Sequence, residues 1–313
     1  KRTYRMDKLT FAHILSRVRP HLEKNRARSD TVAADVKLSL AITWLRGGSY
    51  LDACRLHQVA ASTFWRNLWV TLDAINIALA DEINLPLHDR QALEGIARRF
   101  KERWGANYAG CYDGCIGDID GLIIRVRKPS RKETSCGQAF FCGRYKCFGL
   151  AYQVICDADC IVMWYNGNHA GSVHDSTAFK NSSLYRSIRE VADTVLKDLH
   201  IAGDGAYADE EWLLTPWPEP RLGVLAADKD TFNFVHSLHR QPIERTFGLL
   251  VGRWLVLERD LRVPLRKVDC VVAACMRLNN VCIRRKQGIM WDDGKRVMGE
   301  SGGGGRGTAP RSY

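Results

Sequence analysis

The fold this sequence predicts is α/β: a mixed sheet flanked by helices, preceded by an all-helical region. Three observations predict it. Before residue 80 the apolar residues recur with helical spacing. From residue 111 the pattern changes to short apolar runs bounded by turn residues, as in strands. After those runs, helical segments alternate with one further strand. The 313 residues are 46% hydrophobic, with 26 Gly against 9 Pro, enough for a sizeable core in one or two domains.

The elements follow in order. Residues 1–30 hold a short basic amphipathic segment, FAHILSRVRPHLEKNRARSD. Three helices are predicted between 30 and 80. SDTVAADVKLSLAITWLRGG puts Val36, Leu40, Ile42 and Leu45 near one face and stops at Gly47-Gly48, a C-cap signal. SYLDACRLHQV is a short second helix N-capped by Ser49, and ASTFWRNLWVTLDAINIALA a longer third capped by Ser62. Short helix, tight turn and longer helix is the shape of a helix-turn-helix, in which Ser62, Thr63, Trp65, Arg66 and Asn67 open the recognition helix. A plain helical bundle with Trp65 and Trp69 in its core fits the same spacing.

Residues 81–110 read as a helical connector. CIGDIDGLIIRV, KCFGLAYQVICD and CIVMWYNGN are three successive strands, turning at RKPSRKETSCG and DAD. STAFKNSSLYRSIREVADTVL is predicted as helix, DLHIAGDGAY as strand, and 236–259 and 264–285 as long helices. Trp212, Trp217 and Trp254 are expected in the core. The tail ESGGGGRGTAPRSY is low-complexity and expected to be flexible. The chain therefore divides into a helix-turn-helix-like DNA-binding region (1–80), a connector (81–110), a sheet domain (111–290) and a tail (291–313).

Net charge is +11, from 46 Lys and Arg against 35 Asp and Glu, which favours a polyanionic partner. No apolar run reaches the length of a membrane span. The chain opens on Lys1 rather than Met and KRTYRMDKLT has no apolar signal-peptide core, so a fragment or a chain without its native start is expected. The eleven cysteines are scattered without a CxxC pair, which predicts reduced, mostly buried thiols rather than a paired zinc motif.

The unusual stretch is CIGDIDGLIIR, residues 115–125, which sets Asp118 and Asp120 inside an otherwise apolar strand. A buried unpaired carboxylate costs several kcal/mol, so a cation or a proton is required there. The strand's period of two puts both on one face. Three further acids lie at the ends of elements. Asp175, in AGSVHDSTAF, follows a strand and starts a helix; Asp204 closes the IAGDGAY strand; Glu244, in HRQPIERTFGLL, lies on a helix between Arg240 and Arg245. Singly these are caps and surface ion pairs. A strand Asp, a loop Asp and a helix Glu together are the parts of a two-metal phosphoryl-transfer site, and oxygen ligands suit two Mg2+ or Mn2+ ions.

The chain also resembles the DDE endonuclease domain of PIF/Harbinger-type transposases. GDIDGLIIRVRKPS, GSVHDSTAFKNSSLY, IAGDGAYADEEWLLTPWP and FNFVHSLHRQPIERTFGLLVGRW match in order over roughly 110–285, and LRGGSYLDACRLHQVAASTFWR resembles the family's N-terminal helix-turn-helix. The resemblance implies an RNase H-like fold, a catalytic and metal-binding triad of Asp120, Asp175 and Glu244, and Asp204 beside it. It also implies a nuclear setting and a Myb-like accessory protein. Leu122 and Ile123 depart from the Thr and His that many members carry after IDG.

Asp118 also departs from the pattern: an extra ligand, a neutral buried acid and a partner of Arg125 all remain open. His174 could orient Asp175 by a hydrogen bond. RVRKPSRK, with Arg125, Arg127, Lys128, Arg131 and Lys132, reads as a loop contacting the DNA backbone. Arg240, Arg245 and Arg253 could contact phosphates or be solvated. The function expected is a metal-dependent DNA endonuclease or transposase, working at least as a homodimer because two DNA ends must be paired. Two alternatives remain: a catalytically silent DNA- or chromatin-binding protein keeping the fold, and a nuclease of RNA or structured DNA.

Overall fold

The chain begins, in the computed structural model, with four helices packed against one another: α1 (Lys8–Leu22), α2 (Ala34–Leu45), α3 (Tyr50–His57) and α4 (Ala61–Ala78). The structure describes residues 4–23, 32–104, 113–220 and 224–286. The basic end of the first segment, the close of the connector and the Gly-rich tail lie outside these residues. Asp7 caps α1 by accepting from the Thr10 amide at 2.8 Å. The end of α2 follows the glycine pair. Gly47, at φ +89°, donates to the Trp44 carbonyl at 2.9 Å, and Gly48 to Thr43 at 3.0 Å, which satisfies two carbonyls of the last turn. A Cβ on Gly47 would lie 2.8 Å from Leu255 Cβ, so conformation and packing both require glycine there.

Ser49 caps α3 as expected, its hydroxyl accepting from Leu51. Ser62 does not cap α4. The helix starts one residue before it, at Ala61, and its cap residue Ala60 has no side-chain oxygen to offer. α3, a turn with Gln58 in the left-handed region, and α4 keep the short helix, turn, longer helix order. Trp65 and Trp69 are half-buried in an aromatic cluster with Trp44, Tyr50 and Phe64.

After α5 (Arg90–Trp104) come the strands β1 (Cys115–Arg125), β2 (Phe141–Cys142), β3 (Cys147–Cys156) and β4 (Val162–Ala170). Next are α6 (Asp175–Lys180), α7 (Ser183–Val191), β5 (His200–Ala202) and β6 (Leu213–Leu214). The chain closes with α8 (Ala227–His239), α9 (Gln241–Arg253) and α10 (Leu265–Arg284). The three meander strands fall where their apolar runs predict. β1 is central, antiparallel to β3 on one side and parallel to β5 on the other. β4 continues the sheet antiparallel beyond β3, β6 adds parallel to β5, and β2 pairs with the start of β3.

Two helical expectations and one core expectation change. The segment from 176 to 196 splits into α6 and α7, because Ser182 turns the chain and caps α7 through Tyr185. The helix expected over 236–259 is the end of α8 and all of α9, broken at Arg240. Pro242 explains the break: it has no amide to continue the ladder and is favoured in a first helical turn. Trp217 is not core: it is 48% exposed, with the Lys229 ammonium 4.0 Å from its ring centroid. Trp212 and Trp254 are buried as expected.

Helices cover both faces of the sheet. On one face Ile124, Val126, Leu150 and Val154 join residues of α1, α2, α4, α9 and α10 in a single apolar cluster. On the other, Ile119, Ile155 and Met163 pack with α5, α6 and α7. The N-terminal helices and the sheet thus share one core. The scattered cysteines are free thiols among the described residues, and most are buried.

Candidate active site

β1 carries two of the site's carboxylates from the centre of the sheet, between β3 and β5. Asp118 lies opposite Cys156 and Asp120 opposite Val154, both on the face towards the α8–α9 junction. Asp120 Oδ1 accepts from the Gly121 amide at 2.7 Å, and Oδ2 accepts from Arg240 Nη2 at 2.9 Å. Burial raises the Asp120 pKa to about 6; Arg240 opposes that, and the charges of Asp204 and Asp175 add to it.

Asp175 is the first residue of α6. Its Oδ1 accepts from Gln153 Nε2 at 2.7 Å, and Tyr207 donates its hydroxyl proton to Gln153 Oε1. Burial raises Asp175 as well, and Asp204 reinforces the shift. The hydrogen bond holding Asp175 therefore comes from Gln153; His174 is an exposed cap residue. Asp204 stands just beyond β5, where Gly203 accepts from the His236 imidazole at 2.8 Å and Asp204 itself accepts from Ala206. Burial lowers the His236 pKa to about 4, so the ring is neutral at pH 7 and its Nε2–H is the donor.

Gly121 makes room for this cluster. A Cβ at that position would lie 2.2 Å from Asp175 Oδ1. Gly121→Ala is expected to displace the Asp175 carboxylate and lower any metal-dependent activity at least about 10-fold, on the scale of a misplaced ligand. The unfolding midpoint should move little, since the new methyl meets a polar side chain rather than the core. Unchanged activity in that variant would show that Asp175 can retreat without consequence.

Asp120, Asp175 and Asp204 thus share one electrostatic neighbourhood. Glu244 is exposed in the first turn of α9, one helical turn past Arg240 and on the same side of that helix. Asp120 and Asp175, both raised first by burial and then by the charge of Asp204, fit a divalent cation bound by oxygen. Asp120, Asp175 and Asp204 are the residues that would hold it; Glu244 stands at the exposed start of α9.

The family described as DDE superfamily endonuclease matches residues 119–280, just over half of the chain and every element of the site from Asp120 to Glu244. The chain belongs to the DDE superfamily of endonucleases. It is 21% identical over 300 residues to the Xenopus laevis protein named Putative nuclease HARBI1, covering 93% of this chain and 80% of that one. It is 21% identical over 298 residues to Protein ALP1-like of Arabidopsis thaliana, covering 90% and 69%. No solved structure matches it. The Harbinger resemblance of the sequence motifs holds, and membership in a DDE endonuclease family carries the nuclease class and divalent-metal use. Among the described residues no helix is long and apolar enough to cross a membrane.

The remaining candidates of this DDE endonuclease separate by exposure. Arg125 pairs with Asp260 at 3.0 Å, so it is not the partner of Asp118, and Arg127 pairs with Glu133 at 2.7 Å. Glu133 also accepts from Ser130 and from the Leu265 amide, bonds that hold its pKa down to about 2 and fix the turn. Lys128 lies 5.6 Å from the Phe148 ring centroid, while Arg131 and Lys132 point to solvent. Ser62 and Arg66 are exposed at the start of α4, Thr63 is half-buried, and Asn67 is buried and bonded to the Thr63 carbonyl. Arg245 is exposed. Arg253 is buried, donating to Asn279 and to the Arg5 carbonyl, which removes it from phosphate contact.

Two features escaped the sequence reading. Gln153 had no signal, since a glutamine in an apolar strand becomes meaningful only opposite Gly121. Asp118 is fully buried with its Oδ1 3.2 Å from His239 Nδ1. His239 was visible in HSLHRQP, but nothing in the sequence tied it to that strand.

Proposed function

We propose that this protein is a DNA endonuclease of the transposase type, with an RNase H-like sheet and a catalytic, metal-binding set of Asp120, Asp175, Asp204 and Glu244. The observation that carries the reading is the convergence of three carboxylates from β1, α6 and the end of β5, with the strand order β4-β3-β1-β5-β6, where β1 is central and parallel to β5. Two bound Mg2+ or Mn2+ ions would supply Lewis acidity to a phosphodiester and lower the pKa of an attacking water or 3′-hydroxyl. The chain's own residues do the rest. Asp120 and Asp175 bind, Gln153 and Tyr207 hold Asp175 in place, and His236 anchors the carbonyl beside Asp204. Arg131, Lys132 and Lys128 receive the DNA backbone, with Arg125, Arg127 and Arg245 at the margin. Ser62, Thr63 and Arg66 would face a groove if α3 and α4 act as a helix-turn-helix. Work on two DNA ends calls for a homo-oligomer, and a nuclear location with a Myb-like accessory protein completes the reading.

A second reading draws on Arg240. Its guanidinium holds one Asp120 oxygen, and a protein that kept that pair permanently would bind DNA without cutting it. The test is incubation of the purified protein with linear duplex DNA under Mg2+, Mn2+, Ca2+ or chelator. Cleavage with Mg2+ or Mn2+ and none with chelator is expected. Salt-dependent binding with no product under any ion would favour the silent protein.

A further inference from the structure

We propose that Cys115, Asp118 and His239 form a second, fully buried metal site, for a borderline-soft divalent cation such as Zn2+, distinct from the carboxylate cluster. The Cys115 sulfur, an Asp118 oxygen and a His239 nitrogen all lie within 4.8 Å of one another, and all three residues are buried. Their meeting has a backbone cause. Positions 115 and 118 of a regular strand face opposite ways, but the pairing of β1 with β5 shifts register between Cys115 and Gly117. Such bulges re-aim a side chain, and this one brings the thiol to the side of Asp118. His239 arrives from the last residue of α8, its ring stacked on Phe100 with centroids 5.0 Å apart.

The chemistry of the set selects the ion. Sulfur, imidazole nitrogen and one carboxylate oxygen are a zinc donor set and a poor one for Mg2+. A divalent cation with one thiolate, one carboxylate and a neutral imidazole has no net charge, which suits a site closed to water. Binding transfers the Cys115 thiol proton to solvent and forms the sulfur–metal bond. Asp118 Oδ2 is buried without a hydrogen-bond partner among the described residues, and so is His200 Nε2. His200 is the backbone partner of Cys115 in the β5 register and lies outside the three-residue cluster. The ion would pin β1 to the end of α8, immediately before the Arg240 that contacts Asp120.

The test is metal content of the purified full chain after zinc loading and desalting, read by elemental analysis. About one zinc per chain is expected in the wild type and in Asp120→Ala, with loss in Cys115→Ser and His239→Ala. Cobalt replacement should give a thiolate-to-cobalt absorption band that disappears in Cys115→Ser and persists in a Cys156→Ser control. If Cys115→Ser fails to fold, His239→Ala decides: the cobalt band and the zinc should both be lost there and persist in Cys156→Ser. A wild type that retains no zinc overturns the site, as does zinc that is lost in Asp120→Ala and kept in Cys115→Ser. DNA cleavage is a separate readout: its absence with zinc retained would count against the nuclease reading alone.

Discussion

Asp120→Asn should abolish metal-dependent cleavage and, in the absence of metal, make the protein more stable. The loss should exceed the roughly 100-fold that a change outside the ligand shell costs, because the proposed ligand itself is removed. The gain follows from proton linkage. Burial raises the Asp120 pKa in the folded state to about 6 from an ordinary 3.8. Between those values the native state binds more protons than the unfolded state, so stability falls as pH rises through that window. Below 3.8 the contribution is fully present; above about 6 it is gone. Asparagine cannot ionise and so avoids the penalty at neutral pH, on the order of 3 kcal/mol. Denaturant midpoints measured from pH 4 to 8 in chelator should converge at the acid end and separate at the alkaline end. Added Mg2+ should then stabilise the wild type and leave the variant unmoved. Parallel curves for the two proteins at every pH would mean that Asp120 is not held against its preference.

Removing the first 80 residues should leave a chain that does not fold cooperatively. The apolar cluster on one side of the sheet draws Ile14 from α1, Leu38 and Ile42 from α2 and Leu68 and Leu72 from α4 together with Val271, Ala274 and Leu278 of α10. Without those helices the face of α10 and β3 would open to water at about 25 cal/mol for each Å2 of apolar surface. Trp254, 0% exposed, sits in the same cluster. Trp254→Ala should cost about 3–5 kcal/mol and lower the single unfolding transition of the whole chain rather than split it. Circular dichroism of the shortened chain and denaturant curves of the variant are the measurements. A soluble, cooperatively unfolding fragment from residue 81 would show the helices to be a separable unit.

Much of this architecture is legible in the sequence because its signals are local. Gly47-Gly48 ends α2 through a conformation that glycine alone adopts easily, and β1, β3 and β4 are long enough for their apolar runs to stand out. The strands β2 and β6 have two residues each and exist only because a neighbour pairs with them. Pro242 was readable, yet apolar residues continue at helical spacing across it, so the two helices merged into one expectation. Trp217 looked like core by its size; its exposure depends on where the chain around it runs. At the site, Asp120 stands out as a carboxylate inside an apolar strand and Asp175 by its position at the start of a helix. The Gln153 bond to Asp175 and the closeness of Cys115 to Asp118 come from cross-strand pairing and a bulge, which no linear spacing encodes.

The junction between α8 and α9 places two adjacent residues, His239 and Arg240, on two alternate residues of β1, Asp118 and Asp120. If β1 slipped by one residue, Gly117 and Ile119 would stand there instead, leaving a histidine and an arginine without carboxylates. The two contacts at the junction therefore fit a single strand alignment, and that alignment is the one that brings Asp120 to Asp175.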